Sequence, residues 1–215
     1  SSFAKLRNEA LKYVKQPWVL YVDADERIVP ELAKEIAVGI ETESADVFSF
    51  NRQNIFFGQE FQHGGWQNDQ VTRLFKKEAL HKWSGEIHES PNYSGVVQVL
   101  HTPLVHFSHR NVADGLLKSA SWTKLEAKQY IAADFPPVTT WTVIRKMLGE
   151  LYRRLVRQKG YADGQAGVFE AIIQACNKAF VFIQVWELQQ KPPLAEQYRN
   201  HDAKISRLWQ KTNTL

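Results

Sequence analysis

The sequence predicts an α/β domain followed by a helical C-terminal portion. Three observations carry this. An apolar run, Trp18-Val19-Leu20-Tyr21-Val22, lies between two amphipathic stretches; further short β-like runs continue as far as His106; and no strand pattern follows Val112.

Taken in order, Phe3, Leu6, Ala10, Leu11 and Val14 recur at three- and four-residue spacing, one face of a helix that Pro17 ends. The run 18–22 is short and rich in β-branched and aromatic residues, as expected of a strand covered on both faces, and Asp23-Ala24-Asp25-Glu26 stops it. Pro30 fits the first position of a second helix with Leu32, Ile36 and Ile40 as its buried stripe. Val47-Phe48-Ser49-Phe50, Val71-Thr72-Arg73-Leu74-Phe75 and Val96-Val97-Gln98-Val99-Leu100 read as strands between loops holding Gly58, Gly64-Gly65, Gly85 and Pro91-Asn92. Helices follow at about 112–133, 139–158 and 165–190, broken by Phe135-Pro136-Pro137 and by the stretch from Lys159-Gly160 to Asp163-Gly164. The expected division is a core over 1–111, a helical region over 112–190, and a polar helical tail over 191–215 that opens with Lys191-Pro192-Pro193.

Composition narrows the class. With 215 residues, 44% apolar and 23% charged, the chain is neither disordered nor fibrous. The lone Cys176 excludes an intrachain disulfide and reads as a small core residue. The N-terminus lacks a methionine and the apolar stretch of a signal peptide, and is read as that of a fragment or a processed chain. The most apolar region, Ala166 to Trp186, is interrupted by Glu170 and Lys178, so no membrane span is expected. A net charge of +4 and a pI near 9.1 suit anionic partners without choosing among them.

The sharpest chemical feature is Asp23-Ala24-Asp25 at the end of the first strand. In extended backbone two carboxylates two residues apart point to one side, able to share a hard cation or to divide between a cation and a sugar hydroxyl. Open α/β sheets bind ligands at the carboxyl ends of their strands, where this pair lies. The plainer reading is a solvated turn whose Asp25 or Glu26 caps the next helix.

Arg7-Asn8 followed by Trp18-Val-Leu-Tyr-Val-Asp-Ala-Asp-Glu-Arg27 resembles the middle of a family-2 glycosyltransferase of the GT-A type, nearest in flavour to the bacterial lipopolysaccharide-core enzymes. The similarity continues, in the family's order, through His63-Gly64-Gly65-Trp66, Arg73-Leu74-Phe75, Gly85-Glu86-Ile87-His88-Glu89, Leu104-Val105-His106 and Asp163-Gly164-Gln165-Ala166-Gly167. It implies a GT-A-like, Rossmann-like mixed sheet. It also implies that a further segment, holding the first strands and most of the nucleotide site, precedes Ser1 in the whole protein.

The resemblance implies an inverting, metal-dependent transfer of sugar from a nucleotide-sugar donor to a saccharide or lipid-linked acceptor in cell-envelope polysaccharide synthesis, in the cytoplasm. It puts Asp25 on a divalent metal, Mn²⁺ or Mg²⁺, Asp23 on that metal or the donor's ribose, and His106 on metal or diphosphate, with a hydrogen-bonded core histidine as the other reading and His101 and His109 as nearby alternatives. Glu89 becomes the general base, with Glu86 its competitor. Arg7, Asn8, Gly65, Trp66 and Arg73 become donor-binding candidates, although a solvated helix face explains Arg7 and Asn8, a hairpin turn explains Gly65 and Trp66, and an ordinary ion pair explains Arg73. In the helix near 139–158, Trp141, Ile144, Leu148, Leu151, Tyr152 and Leu155 form an apolar side among Arg145, Lys146, Arg153, Arg154 and Arg157. Such a helix either lies on the inner face of an anionic membrane or packs on the core with its arginines in solvent. Two other classes compete. A haloacid-dehalogenase-like phosphohydrolase also places Asp-x-Asp after an apolar strand, but expects a Thr or Val and a Gly-containing turn where Glu26-Arg27 stand. A basic nucleic-acid-binding module has no recognised motif here, and nucleic acid is not expected as a partner.

Overall fold

The computed structural model describes residues 3–85, 89–108 and 110–212. In chain order the elements are α1 (Phe3–Tyr13), β1 (Trp18–Leu20), β2 (Glu26–Arg27), α2 (Pro30–Glu41), β3 (Val47–Phe56), β4 (Gln59–Glu60), β5 (Gln70–Lys76), β6 (Leu80–Ser84), β7 (Ser90–Tyr93), β8 (Val97–Phe107), α3 (Val112–Ala132), α4 (Thr140–Tyr152), α5 (Gly164–Leu188) and α6 (Leu194–Thr212). A π-helical turn, Arg153–Arg157, and a 3₁₀ turn, Gly160–Asp163, connect α4 to α5. The chain forms two compact units, 1–118 with 152–171, and 119–151 with 172–215. The segment 112–118 and the return 152–171 therefore belong with the sheet, which a division at 111 does not foresee.

In the first unit the sheet runs β1-β5-β3-β8-β2, with β4 paired to β3, while β6 and β7 form a separate hairpin. Only β3 and β8 pair in parallel; the other pairings are antiparallel, giving the mixed sheet expected. Alternation along β3 sends Phe48 and Phe50 to one face, where they pack with Leu32 and Ile36 of α2, and Val47 to the other, with Phe75, Trp83 and Ala4 of α1. The fully buried Phe48 and Phe75 anchor the two faces.

Several expectations change. β1 ends at Leu20 and has a sheet neighbour on one side only, so Trp18 and Leu20 are half-buried and Val22 is exposed rather than covered. On α1, Phe3 and Leu6 face solvent, because the inward positions four, seven, eight and eleven are Ala4, Arg7, Asn8 and Leu11. Cys176 is exposed, not in the core. The strand at Val96–Leu100 extends to Phe107; its register shifts opposite Phe50/Arg52, and this irregularity breaks the alternation that pattern reading follows. β2, β4, β6 and β7, of two to five residues, carry too little pattern to be read, whereas the absence of strands beyond Phe107 holds among the described residues.

In the second unit Ala127 of α3, Val138, and Val181, Phe182 and Val185 of α5 form a core joined by Tyr130, Phe135 and Val143. Gln189 ties the 135–138 turn to α5, donating to the carbonyls of Phe135 and Pro136 and accepting from Val138 N–H at 2.9 Å. The stretch Gly160–Leu188 is long and apolar enough to cross a membrane by length and composition alone. Its charges are nonetheless handled inside the protein: Glu170 is buried and Lys178 pairs with Glu126 at 2.7 Å.

The irregular turn of β8 is held from α2. Glu35 accepts the N–H groups of His101 and Thr102 at 2.7 and 2.8 Å. Burial alone would raise its carboxyl pKa, but these backbone bonds, with help from the Thr102 hydroxyl and His101, outweigh that and lower it. A carboxylate with a depressed folded pKa stabilises the fold above its unfolded pKa and loses that contribution as pH falls through the folded value. Glu35→Gln is therefore expected to lower the melting temperature at neutral pH and to flatten the acid side of the melting temperature against pH curve; parallel curves for the two proteins would refute this.

Candidate active site

The acidic turn after β1 is organised by Glu26. Its side chain is fully buried, accepts the Asp23 N–H at 2.9 Å, and lies 3.3 Å from Arg73 Nη2 and 3.6 Å from Arg52 Nη1. The bond to Asp23 N–H and the Glu26 N–H to Asp23 carbonyl bond at 2.9 Å close the turn. The plainer reading of the motif does not hold: α2 begins at Val29 with no side-chain cap, so neither Asp25 nor Glu26 caps it.

Asp23 is gripped on both oxygens. Arg7 donates to Oδ1 and Arg73 to Oδ2, each at 2.6 Å. Arg7 also lies 3.1 Å from Glu89 Oε1 and stacks over the Trp83 ring at 4.5 Å, so α1, the motif and the start of β7 converge on one guanidinium. Both sides of Asn8's amide meet the Trp83 backbone, at 2.8 and 2.7 Å. That amide anchors α1 to β6, a structural task that neither sequence reading named.

Asp25 turns the other way. β2 pairs with β8 so that Glu26 stands opposite His106, and Phe107 N–H donates to the Asp25 carbonyl. Asp25 Oδ2 then faces His106 Nε2 at 3.7 Å and Lys118 Nζ at 3.4 Å. The other ring nitrogen of His106 lies 2.6 Å from Asn54 Oδ1. Asn54 cannot be flipped without loss, since its NH₂ donates to Asp69 and to the Trp66 carbonyl. Nδ1 therefore carries the proton, and Nε2 presents a lone pair to a carboxylate at a separation too long for a hydrogen bond. Burial first, then the Arg52 charge, holds His106 below the ordinary histidine pKa, keeping it neutral.

A lone pair and a carboxylate facing one another form one side of a cation site with nitrogen and oxygen donors, a set that suits Mn²⁺ or Mg²⁺. Asp23, with both oxygens on arginines, does not turn toward it. Among the described residues no group of three or more His, Cys, Asp or Glu side chains forms a cage. The fit is to a metal held by one carboxylate and one imidazole, with its remaining positions open to substrate phosphate and water.

The other candidates separate. Gly65 and Trp66 lie in a loop held by the return segment: Asp163 accepts His63 N–H at 2.9 Å and contacts its ring at 2.8 Å, and Arg154 donates to the Gly64 carbonyl while stacking on Trp66 at 5.0 Å. A Cβ on Gly65 would lie 2.7 Å from Gln158, and one on Gly167 would lie 2.1 Å from the Gly160 carbonyl, so these glycines permit close chain packing. Trp66 packs on Phe56 at 4.6 Å, and its carbonyl joins the Asn54 network. His101 is exposed, with its backbone on Glu35; Glu86 and His109 lie outside the described residues. Sequence reading missed Arg52, Asn54, Asp69 and Lys118. Polar residues at 52 and 54, two apart on β3, were the available signal, since β alternation sends them to one face.

Residues 2–98, somewhat under half of the chain, match the family model of Glycosyl transferase family 2. This stretch belongs to that family, and the mixed sheet with its helical C-terminal part is a GT-A-like fold. Of the three classes the sequence left, the match supports a glycosyltransferase.

Removing one partner of a buried ion pair strands the other charge. Arg73→Met is expected to destabilise the protein by about 3–5 kcal/mol, with much of that recovered in Arg73→Met/Glu26→Gln. Urea unfolding of the single and double variants measures both; a single variant within about 1 kcal/mol of wild type would contradict the buried network.

Proposed function

We propose that this chain is the catalytic part of an inverting, metal-dependent glycosyltransferase that uses a nucleotide-sugar donor and a saccharide or lipid-linked acceptor. A role in lipopolysaccharide-type envelope synthesis on the inner face of the membrane fits the sequence resemblance. The observation that supports the chemistry best is the facing pair, Asp25 Oδ2 and the unprotonated Nε2 of His106, beside the Asp23–Arg7–Glu89 chain.

In this reading Asp25 and His106 hold Mn²⁺ or Mg²⁺, and the metal, when bound, neutralises the departing diphosphate. Asn54 fixes the histidine tautomer, a supporting role of the kind metal-bound histidines ordinarily have. Asp23, pinned by Arg7 and Arg73, presents a rigid edge to the donor instead of a mobile ligand. Glu89 takes the acceptor hydroxyl's proton as that oxygen attacks the anomeric carbon, and Arg7 orients the carboxylate for this. Arg73 has its guanidinium on Asp23 and Glu26, so its contribution to donor binding is through the turn it braces.

Asp25→Asn should abolish Mn²⁺ binding without unfolding the protein, and Asn54→Ala should weaken that binding by about 10- to 100-fold. Mn²⁺ titration followed by electron paramagnetic resonance reads both. Glu89→Gln should reduce kcat by about 10² to 10⁴ while sparing donor affinity. Wild-type-like Mn²⁺ binding in Asp25→Asn would refute the metal assignment, and a near-normal kcat in Glu89→Gln would move the base elsewhere.

A further inference from the structure

The second unit turns an apolar surface outward. α4 has no buried residue, and Trp141, Ile144, Leu148 and Tyr152, spaced by three and four residues, lie on one side of it. All four are exposed, Trp141 to 67% and Tyr152 to 63%. The opposite side faces the core: Val143 packs against it, and Lys146 lies over Phe135 and Phe182 at 5.9 and 5.1 Å. An ordinary surface helix has the reverse arrangement, with apolar residues in and charges out. The first turn of α4 also borders an apolar groove of about 530 Å³ lined by Val138, Val143, Ile144, Ile183 and Trp186 among others.

A second helix of this unit repeats the pattern. On α6, Tyr198, Ile205 and Trp209 fall on one stripe and are exposed to 72%, 53% and 66%, with Arg199, Lys204 and Arg207 on the remaining surface. Two helices with exposed Trp and Tyr on an apolar side suit the headgroup boundary of a bilayer, where an amphipathic ring has one apolar and one wet neighbour.

The charge selects the partner. Residues 140–159 carry Arg145, Lys146, Arg153, Arg154, Arg157 and Lys159 against the single acid Glu150. Arg145 is exposed and adjoins the apolar stripe of α4. A protein partner would be expected to leave some pairing acids among these bases, whereas an anionic lipid surface supplies the opposite charge over the whole patch.

We propose that the second unit is a membrane-docking module, with the exposed side of α4 as its principal contact and α6 as a second, and that its partner is an anionic phospholipid bilayer. The proposal builds on the peripheral-membrane part of the functional reading, but its test does not depend on catalysis.

The test uses the full chain and two kinds of vesicle, phosphatidylcholine alone and phosphatidylcholine with about a third phosphatidylglycerol, in a flotation assay. Wild type should float with the anionic vesicles and not with the zwitterionic ones, and high salt should release it. Trp141→Ser/Leu148→Ser, changing exposed residues only, should weaken binding at least about tenfold. Arg145→Glu should weaken it about 10- to 30-fold. Circular dichroism establishes that each variant is folded. Absence of binding, equal binding to both vesicles, or an unchanged Trp141→Ser/Leu148→Ser variant would overturn the proposal. So would a wild-type dimer in light scattering that the same double variant dissolves without any vesicle binding, because a second copy would then cover the face. Glu89→Gln should float like wild type; if it does while transfer is never observed, the docking stands and the enzyme reading fails.

Discussion

A carboxylate with no exposure to water decides the shape of this site. Glu26 cannot remain charged in the interior without partners, and the partners it has, Arg73, Arg52 and the Asp23 N–H, come from β5, β3 and the turn itself. Satisfying that charge draws three separate segments together. The acidic turn is thereby fixed so that its two aspartates diverge, Asp23 toward the arginines and Asp25 toward His106. Extended backbone would have pointed both to one side; closing the turn through Glu26 overrides that local geometry.

Around this centre the sheet acts as a ruler. The antiparallel step between β2 and β8 sets Glu26 opposite His106, and the parallel step between β3 and β8 sets Asn54 opposite His106 as well. One histidine is thus addressed from both neighbouring strands. A slip of one residue in either pairing would send its side chain to the other face and dismantle the arrangement. The return segment adds a second brace: Asp163 and Arg154 hold the 63–66 loop, whose Trp66 carbonyl accepts from Asn54. The glycines of both motifs serve that close packing, so motifs a hundred residues apart in sequence describe one local structure.

The second unit follows a different logic. Its core is a small aromatic and aliphatic cluster reached by few residues of α4, and Lys146 contributes through its stem and its charge over two rings. With the inward side so economical, the large apolar residues of α4 and α6 are left for the exterior. Exposed aromatics on two helices are unusual for a surface made only for solvent.

By itself the sequence determined the α/β class, the helical C-terminal part, the strand leading into the acidic motif, and a set of functional residues of which Arg7, Asp23, Asp25, Arg73, Glu89 and His106 do gather in one network. These were legible because periodicity and residue chemistry are local properties. Only the tertiary structure decided what each residue is engaged with. That Asn8 holds the Trp83 backbone, that Glu26 rather than a helix cap closes the turn, that Asn54 sets the His106 tautomer, and that the apolar side of α4 faces outward all depend on partners distant in sequence. A helical pattern states that two sides differ and cannot state which one a neighbour will cover. An acidic residue likewise looks the same on paper whether water or an arginine waits for it, and the energetic difference between those two environments is supplied by the fold.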